Sequence, residues 1–461
     1  MWRKEQRAMS DQPSTAELVQ EDLTHLLHPM TPLYEHAQRG PLVLVEGQGI
    51  MVRDSDGREY LDGLAGLWNV NVGHGRREIV AAAAAQMERL AFAPSFFGLS
   101  NVPAIQLGHR LAELTPPGLK RFFYTCGGSE SNETAFKIAR AYWRLRGRPE
   151  KYKIIARERA YHGPSYGALS ATGLPQFHQY YGPLVPGFLH VMMPDPYRGT
   201  YDPARYADVG EAAAAALEEA IQREGPETVA AFIAEPVPGV GGVLVPPPSY
   251  FPRVQEICRR YQVLLIVDEV ITGFGRTGRW FGVEHWGVQP DLMTLAKGIT
   301  SGYLPLGAVA LTEEIYQVLA APGVTFLHGF TYYGHPVCCA AALANLAIIE
   351  RERLVENAAR MGEYLLARLT ELRDHPLVGD VRGLGLMAGV ELVADRATRR
   401  PFPPEKQVGR QVVHLARENG LLCRASGDII CFAPPLCIDR AGVDLLVERF
   451  RRALEAVAAR V

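Results

Sequence analysis

A lysine and two carboxylates each follow an apolar run in this 461-residue chain. Lys297 ends the run in "LMTLAKG", Asp268 the run in "LLIVDEV", and Glu235 the run in "AFIAEP". Lysine is seldom fully buried without a partner, so the simplest interpretation is a strand that reaches the surface and a solvated ammonium. The alternative is a desolvated amine that forms a Schiff base with an aldehyde. The window around Lys297 leaves both interpretations open.

The segment "CGGSESNE" at residues 126–133 could bind an anion. Two glycines follow an apolar run, Ser129 stands at the predicted N-cap of a helix, and Asn132 lies close by. Free N–H groups at a helix N-terminus bind phosphate, and glycine lets the anion approach closely. An ordinary glycine turn with a serine cap explains the same residues equally well.

A glycine pattern follows Asp268 in "VDEVITGFGRTG" at residues 267–278. Its G-x-G-x-x-G spacing would indicate a dinucleotide site only if a helix opened there, with an acidic residue about 20 positions later. The chain continues as "RWFGVEHWGVQPD", which has no helical pattern, so we reject a nicotinamide site. Burial of Asp268 is costly without a positive partner, and a protonated pyridine nitrogen is such a partner. A carboxylate that caps the next turn is the alternative.

These three features together predict one cofactor. A phosphate cradle, a carboxylate for a ring nitrogen and a lysine for an aldehyde are the parts that hold pyridoxal phosphate. Asp268 precedes Lys297 by 29 residues, a separation that fits neighbouring strands. Each simpler interpretation is reasonable alone, but all three would have to hold at once.

Short apolar runs that alternate with helical patterns must position these residues. We predict helices over residues 129–147, 211–224 and 250–262, and strands at 121–128, 151–158, 228–236, 263–270, 291–298 and 306–312. Continuous apolar runs separated by helices are typical of an α/β fold with a mostly parallel sheet covered on both faces. Sites in such sheets form beyond the carboxyl ends of the strands, where Glu235, Asp268 and Lys297 each stand.

The two ends of the chain are predicted to form a second, smaller α+β domain. Residues up to about 75 carry a D-G turn at Asp56–Gly57, which is typical of a hairpin. Residues after about 340 show a long Ala-rich helix, two strand patterns and a final helix. The predicted divisions are a mobile N-terminal tail at 1–20, the two parts of the small domain at 21–75 and 340–461, and the large domain at 76–339.

Composition narrows the class of protein. Lys and Arg total 48 against 50 for Asp and Glu, so a net charge of −2 offers no basic field for nucleic acid. The seven cysteines form no C-x-x-C pair, which favours the cytoplasm and argues against a disulfide framework or a structural zinc site. The 13 histidines show no paired metal-ligand spacing, so we expect no metal. We expect neither a signal peptide nor a membrane span, since no segment approaches about 20 apolar residues.

The stretch "LLIVDEVITGFGRTGRWFGVEHWGVQPDLMTLAKGITSGYLPLGAV" resembles the signature of the class III aminotransferases, which belong to the fold-type-I pyridoxal-phosphate enzymes. The resemblance covers roughly residues 20–455 and is most specific at 266–308. It implies that Lys297 is the Schiff-base lysine and the general acid–base. It also implies that Asp268 keeps the pyridine nitrogen protonated and that Glu235 orients the site beside it.

Further residues match the family's cofactor contacts. By the resemblance, Val270 and Tyr161 pack on the two faces of the ring, and Thr331 in "HGFTYYGHP" reaches the phosphate of the partner subunit's cofactor. That last role implies a homodimer with sites at the subunit interface. Besides Asp268 and Lys297, the implied cofactor-binding residues are Gly128, Ser129, Tyr161, His162, Val270 and Thr331.

The segments "GLWNVNVGHGR" and "CRASGDIICFAPPL" are similar to the amine:pyruvate aminotransferases, or ω-transaminases. By that likeness Trp68 walls the substrate pocket, and Arg424 offers a bidentate fork to a substrate carboxylate. Core packing is the alternative for Trp68, and a surface position is the alternative for Arg424. The implied substrate-binding residues are Trp68, Phe96, Phe97, Tyr161 and Arg424.

The resemblance implies a ping-pong transfer of an amino group from a primary amine or ω-amino acid to pyruvate. The cofactor would alternate between its pyridoxal and pyridoxamine forms. An aminomutase, a dialkylglycine-type decarboxylase and a non-catalytic pyridoxal-phosphate-binding protein are the alternatives. The phosphate loop departs from the family at Cys126–Gly127, and the natural amine donor is left open.

Overall fold

Three sheets organise the protein, which a computed structural model describes over residues 13–461. The strands are β1 (Leu44–Gln48), β2 (Met51–Asp54), β3 (Glu59–Asp62), β4 (Leu119–Thr125), β5 (Lys153–Arg157), β6 (Phe188–Val191), β7 (Val229–Ala234), β8 (Leu264–Asp268), β9 (Leu292–Leu295), β10 (Gly307–Thr312), β11 (Val378–Gly383), β12 (Ala388–Leu392), β13 (Leu421–Leu422), β14 (Arg424–Ser426) and β15 (Ile429–Phe432).

Helices cover these sheets and connect their strands. They are α1 (Thr15–His25), α2 (Leu33–Arg39), α3 (Ala65–Trp68), α4 (Arg77–Arg89), α5 (Val102–Leu114), α6 (Gly128–Leu145), α7 (Tyr166–Ala171), α8 (Val209–Glu224), α9 (Tyr250–Tyr261), α10 (Glu313–Leu319), α11 (Pro336–Arg351), α12 (Leu354–Thr370), α13 (Val408–Glu418) and α14 (Arg440–Ala458). Short 3₁₀ turns lie at Pro175–Phe177, Gly282–Trp286, Lys297–Ile299 and Pro404–Lys406.

The central sheet has seven strands in the order β4-β10-β9-β8-β7-β5-β6. Its neighbours from β9 through β6 pair in parallel, whereas β10 runs antiparallel to both β9 and β4. The prediction of an α/β fold with a mostly parallel sheet is therefore confirmed. Parallel strands need long crossovers, and helices such as α8 and α9 supply them.

Both faces of the central sheet are buried. On β8, Leu265 and Val267 enter one apolar cluster with residues of α8 and α9, while Leu264 and Ile266 enter another with residues of α6. Successive side chains of a strand point to opposite faces, so each strand must be apolar at every position to fill both clusters. This requirement explains the continuous apolar runs in the sequence.

Two four-stranded sheets lie outside the central one. The first has the order β1-β2-β3-β13, and the second has the order β11-β12-β15-β14. In the first, Leu421 and Leu422 of β13 pair in parallel with β3, so both ends of the chain contribute to one sheet. Helix α11 packs against α4 and α5. The division into two domains with the predicted boundaries stays a prediction.

The N-terminal segment contains a helix inside the region predicted as a mobile tail. Residues 1–12 of that region lie outside the described residues, while α1 begins at Thr15. The Ser14 hydroxyl accepts a hydrogen bond from the Glu17 N–H, and the Glu17 carboxylate accepts one from the Ser14 N–H. This reciprocal capping box stabilises the first turn. Among the residues described, none of the helices combines the length and apolar character that crossing a membrane requires.

Candidate active site

The three residues singled out by the sequence meet at one edge of the central sheet. Glu235 follows β7 directly, Asp268 is the last residue of β8, and Lys297 lies two residues beyond β9. These strands are parallel neighbours, so their carboxyl ends lie side by side. All three residues line one cavity of about 460 Å³. The position of Lys297 in this cavity favours the chemical interpretation over a lysine that simply reaches bulk solvent.

The backbone at Lys297 is in the left-handed region, with φ +47°. The sequence predicts a strand through residue 298, but β9 ends at Leu295 and Lys297 opens a 3₁₀ turn. The buried amide of Asn345 holds this turn by donating hydrogen bonds to the carbonyls of Gly298 and Ile299, at 2.9 and 3.0 Å. A left-handed non-glycine residue is costly and persists only where its surroundings enforce it. The hydrogen bonds from Asn345 on α11 help to stabilise this left-handed conformation at Lys297.

Burial lowers the pKa of Lys297 to about 8. The charges of Asp268 and Glu235 act in the opposite direction, and the nearby Arg424 guanidinium lowers the pKa further. Desolvation outweighs the two carboxylates because it penalises the ammonium form. Near neutral pH, an appreciable fraction of the lysine is therefore the neutral amine, the form that can act as a nucleophile or a base.

Three donors fix the Asp268 carboxylate. Its Oδ2 accepts a hydrogen bond from Asn132 Nδ2 at 2.8 Å and lies 2.8 Å from His162 Nδ1, while its Oδ1 accepts one from the Val270 N–H at 3.0 Å. Asp268 is only 3% exposed, so the carboxylate cannot turn to solvent. The Nε2 of His162 and the Oδ1 of Asn132 are buried and have no partner in the described chain. Such an arrangement holds one carboxylate in a fixed direction at the cavity wall.

Glu235 is also buried at the cavity wall. Its Oε1 accepts a hydrogen bond from the Tyr161 N–H at 3.1 Å, and its Oε2 accepts one from the Gly239 N–H at 3.2 Å. Burial raises the pKa of Glu235, and the neighbouring Asp268 charge adds to that effect. Tyr161 packs against Phe177 with 5.3 Å between ring centroids. Glu235 thus fixes the backbone that presents the Tyr161 ring to the cavity.

The N-terminus of α6 points its free N–H groups at the same cavity. Ser129 is predicted as the N-cap, but the cap is Gly127, whose extended backbone has φ −173° and leaves Ser129 as the second helical residue. Within the described chain no side chain caps this helix end. Gly163 has φ +130°, and a Cβ there would lie 2.3 Å from Ser129 Oγ. The loop therefore forms a narrow cradle of glycines around an uncapped helix end, which suits a phosphate.

The comparisons with known proteins agree with this geometry. The model of the aminotransferase class-III family matches residues 33–454. The chain belongs to the class III aminotransferases. A putrescine–pyruvate aminotransferase of Pseudomonas aeruginosa is 43% identical over 440 residues, covering 95% of each chain. A taurine–pyruvate aminotransferase of Bilophila wadsworthia is 40% identical over 455 residues, covering 96% of this chain and 98% of that relative.

A solved structure extends the comparison to three dimensions. The (S)-enantioselective ω-transaminase of Thermomicrobium roseum is 54% identical, with a TM-score of 0.94, and the match covers 97% of this chain and 100% of that one. The expectation of fold type I is confirmed. Class III aminotransferases use pyridoxal phosphate, and the cavity of this aminotransferase fits that group. It offers a helix end for the phosphate, a fixed carboxylate for the ring nitrogen and a lysine for the aldehyde.

The cavity gathers most of the predicted site residues of this aminotransferase but not all of them. Trp68 is 2% exposed and belongs to an apolar cluster that includes Ile271 and Tyr161. Phe97 is 99% exposed. The predicted residues that line the cavity are Gly128, Ser129, Tyr161, His162, Glu235, Asp268, Val270 and Lys297. Those absent from its described wall are Trp68, Phe96, Phe97, Thr331 and Arg424.

Two asparagines shape the aminotransferase site in ways that the sequence did not predict: Asn132 was placed only near the predicted phosphate loop, and Asn345 was not singled out. Asn132 stands three residues after Ser129, so one turn of α6 brings it towards the cavity, and that spacing could have indicated it. Asn345 is 48 residues beyond Lys297 on a helix of apolar residues, and only its buried polarity marks it out. Buried amides require partners, so a lone asparagine in an apolar helix is a signal for a specific contact.

Proposed function

We propose that this aminotransferase moves an amino group from a primary amine or an ω-amino acid to pyruvate. The proposal rests on the Arg424 guanidinium, which lies close enough for its positive charge to act on the pKa of both Tyr161 and Lys297, in each case to lower it. In residues 13–461 it has no hydrogen-bond acceptor and no ion-pair partner. An arginine left unpaired near a cavity is suited to bind a carboxylate bidentately, and pyruvate carries one.

The residues around the cavity have distinct proposed roles. When bound, pyridoxal phosphate supplies an aldehyde that captures the amine and a ring that withdraws electrons from the donor carbon. Lys297 takes the proton from the donor carbon and returns it, because burial favours its neutral form. Asp268 places a fixed negative charge beside the ring nitrogen. Val270 and Tyr161 confine the ring between them.

Three contacts complete the proposed cofactor site. The N–H groups of Gly128 and Ser129 hold the phosphate at the uncapped end of α6. Glu235 orients Tyr161 through its backbone, and His162 orients Asp268 through Nδ1. Among all the residues given a role in this proposed site, Lys297 alone is proposed to move a proton during turnover.

The substrate assignment rests on Arg424 and on the relatives. Arg424 binds the carboxylate of pyruvate, and the same position serves an acid group on a donor such as taurine or an ω-amino acid. Trp68 is proposed to limit the size of the donor from behind the Tyr161 ring, in the apolar cluster the two share. Two of the relatives are a putrescine–pyruvate and a taurine–pyruvate aminotransferase, which supports pyruvate as acceptor. The (S)-enantioselective relative supports selectivity for the S amine.

We propose a homodimer in which the Thr331 loop completes the partner's phosphate site. Thr331 is exposed and does not line the cavity of its own chain. Leu327 is 91% exposed and Tyr332 is 60% exposed on the same loop, so this loop offers apolar side chains that a partner subunit could cover. All seven cysteines are free thiols, which supports a cytoplasmic location.

The visible spectrum of the purified protein tests the proposal. Amines such as putrescine, taurine, β-alanine and (S)- and (R)-1-phenylethylamine would each be added without acceptor. We expect a yellow protein that an accepted amine bleaches and that pyruvate restores, with alanine as product. Lys297→Ala should lose steady-state turnover, because within residues 13–461 no other lysine lines the cavity.

Product analysis separates the proposal from its rivals. Carbon dioxide from the donor would indicate a decarboxylase, and an isomeric amine without a second substrate would indicate an aminomutase. A yellow protein that no amine bleaches would contradict catalysis altogether. Restoration of colour by 2-oxoglutarate but not by pyruvate would overturn the acceptor while leaving the aminotransferase assignment intact.

A further inference from the structure

Three side chains near the N-terminus meet outside the active-site cavity, and none of them is among the described residues that line it. Asp22 lies on α1, His36 on α2, and His28 in the segment between them. One Asp22 carboxylate oxygen lies 2.9 Å from His28 Nε2 and 3.2 Å from His36 Nε2, and the other oxygen lies 2.9 Å from His28 Nε2. One ligand atom from each residue can be chosen so that all lie within 4.8 Å of one another.

We infer that this cluster binds one divalent cation of the zinc class. Imidazole nitrogens and a carboxylate oxygen are ligands that zinc takes at about 2.0–2.2 Å. In a tetrahedral shell of that radius the ligand atoms lie about 3.3–3.6 Å apart, so the observed 2.9–3.2 Å separations need only widen slightly to admit the ion. Mg²⁺ and Ca²⁺ prefer oxygen ligands, so two imidazoles select against them.

The three side chains leave a coordination position open. Their side-chain exposures are 27% for His28, 11% for His36 and 15% for Asp22, so the cluster is sheltered but reached by solvent. The two imidazole rings lie 4.2 Å apart between centroids, with 42° between their planes. Two rings that present the same nitrogen to one carboxylate leave the fourth corner of a tetrahedron for water.

A bound ion would stabilise the packing of α1 and α2, which few other described contacts hold in place. Neither helix has a buried residue, and their lengths are 11 and 7 residues. Helices this short are marginal without tertiary support. Other described contacts include the ion pair of Glu35 with Arg410 at 2.6 Å and the Thr15 hydroxyl beside Asp56. A cation shared by Asp22, His28 and His36 would cross-link both helices and their connecting segment.

The same separations also suit a carboxylate that accepts hydrogen bonds from two imidazoles, with no ion. The ligands stand at positions 22, 28 and 36, a spacing with no helical or metal-motif period, which is why the sequence led us to expect no metal. Only ion binding itself distinguishes a metal site from a hydrogen-bonded cluster.

Competition with a chromophoric chelator provides the test. The full-length holoenzyme, free of any affinity tag and stripped of metal, would be titrated with Zn²⁺. We expect one zinc ion per chain. Asp22→Asn and His36→Asn should each weaken binding more than about tenfold, since losing even a supporting partner of a metal ligand costs about 10–100-fold. Unchanged cofactor absorbance would show that the variants are folded.

His25→Asn is the matched control. His25 lies on the same helix, its side chain is 68% exposed, and it lies 3.3 Å from Glu21. It should bind zinc as the wild type does. An absence of stoichiometric zinc binding, or equal affinity in wild type, Asp22→Asn and His36→Asn, would overturn the site and leave a hydrogen-bonded cluster only.

Hydrogen exchange tests the cross-link separately. Zinc should slow the exchange of amides in residues 15–39 of the wild type and of His25→Asn, but not of His36→Asn. The visible bands of bound Co²⁺ should show coordination by nitrogen and oxygen with four or five ligands. Exchange that zinc leaves unchanged in the wild type would refute the cross-link of α1 and α2.

Discussion

Replacing Asp268 by asparagine removes one charge from the cavity wall and almost no volume. The carboxylate accepts the Val270 N–H on Oδ1 and faces Asn132 Nδ2 and His162 Nδ1 on Oδ2. An asparagine has one oxygen and one NH₂ group. If its oxygen stays on Val270, its NH₂ faces two donors, and if it turns over, the NH₂ faces the Val270 N–H.

His162 can relieve part of this conflict by moving its proton from Nδ1 to Nε2. The Asn132 amide cannot follow, because the same Nδ2 also donates to the His162 carbonyl at 2.7 Å. At least one buried donor is left without an acceptor, which costs about 1–3 kcal/mol. We expect the free energy of unfolding of the apoprotein, measured in urea, to fall by about that amount.

The catalytic loss should be larger than the loss of stability. A fixed charge in a water-excluded site acts on the transition state, and removing one such group typically costs about 10²–10³-fold in kcat. The assay is the donor half-reaction at saturating (S)-amine, followed by stopped-flow absorbance on fully loaded holoenzyme. Asp291→Asn is the control, since Asp291 accepts the Leu265 N–H at 2.7 Å near the amino ends of β8 and β9 but does not line the cavity. A fully loaded Asp268→Asn enzyme with the wild-type half-reaction rate would refute the role of the charge.

Lys297, Arg424 and Gly163 each support a further prediction. Burial lowers the pKa of Lys297 to about 8, so the rate at which the apoprotein captures pyridoxal phosphate should rise with pH up to about 8 and then level off. Lys151→Gln is the control: burial also lowers the pKa of Lys151 to about 8, but this variant should show the same pH profile as the wild type. A wild-type capture rate that keeps rising towards pH 10 would contradict the assignment of the pKa to Lys297. Arg424→Leu should lower kcat/KM for pyruvate and taurine by about 10–100-fold, because a charge-assisted hydrogen bond to their acid groups is lost. In the donor half-reaction, kcat/KM for 1-phenylethylamine, which has no acid group, should change little. An equal loss for all three substrates would point to misfolding instead. Gly163→Ala should weaken cofactor binding by at least about tenfold, because its Cβ would press on Ser129, whereas Gly147→Ala, with φ +74° and open space, should leave cofactor affinity measured by fluorescence titration unchanged.

The strands and the chemistry-bearing residues at their ends could be predicted from the sequence. Apolar runs mark buried strands over short windows, because a strand covered on both faces has no solvent-facing position. The predicted strands at 228–236 and 263–270 correspond to β7 and β8, with Glu235 and Asp268 at their ends. The Asp56–Gly57 turn likewise joins β2 to β3 as predicted. Each of these features depends on residues close together in the chain.

The hydrogen-bond partners that hold Asp268 and the turn at Lys297 in place were decided by the tertiary structure. Asn132 reaches Asp268 across 136 positions, and Asn345 reaches Gly298 across 47, distances over which no local pattern carries information. The N-cap of α6 lies at Gly127 instead of Ser129, since the backbone conformation selects the cap and glycine is only slightly less favourable there than serine.

The cluster of Asp22, His28 and His36 shows the same difference between what the sequence determines and what the tertiary structure decides. Sequence alone determined that Asp22, His28 and His36 are side chains able to bind a metal, but their spacing gave no reason to join them. The turn between α1 and α2 brings them within ligand distance. Sequence thus determined the fold class, the approximate positions of the central strands and the chemistry of each side chain, because these are properties of single residues and short windows. The tertiary structure decided which side chains meet, because the order of strands in a sheet and the packing of helices are fixed only when the whole chain buries its apolar surface.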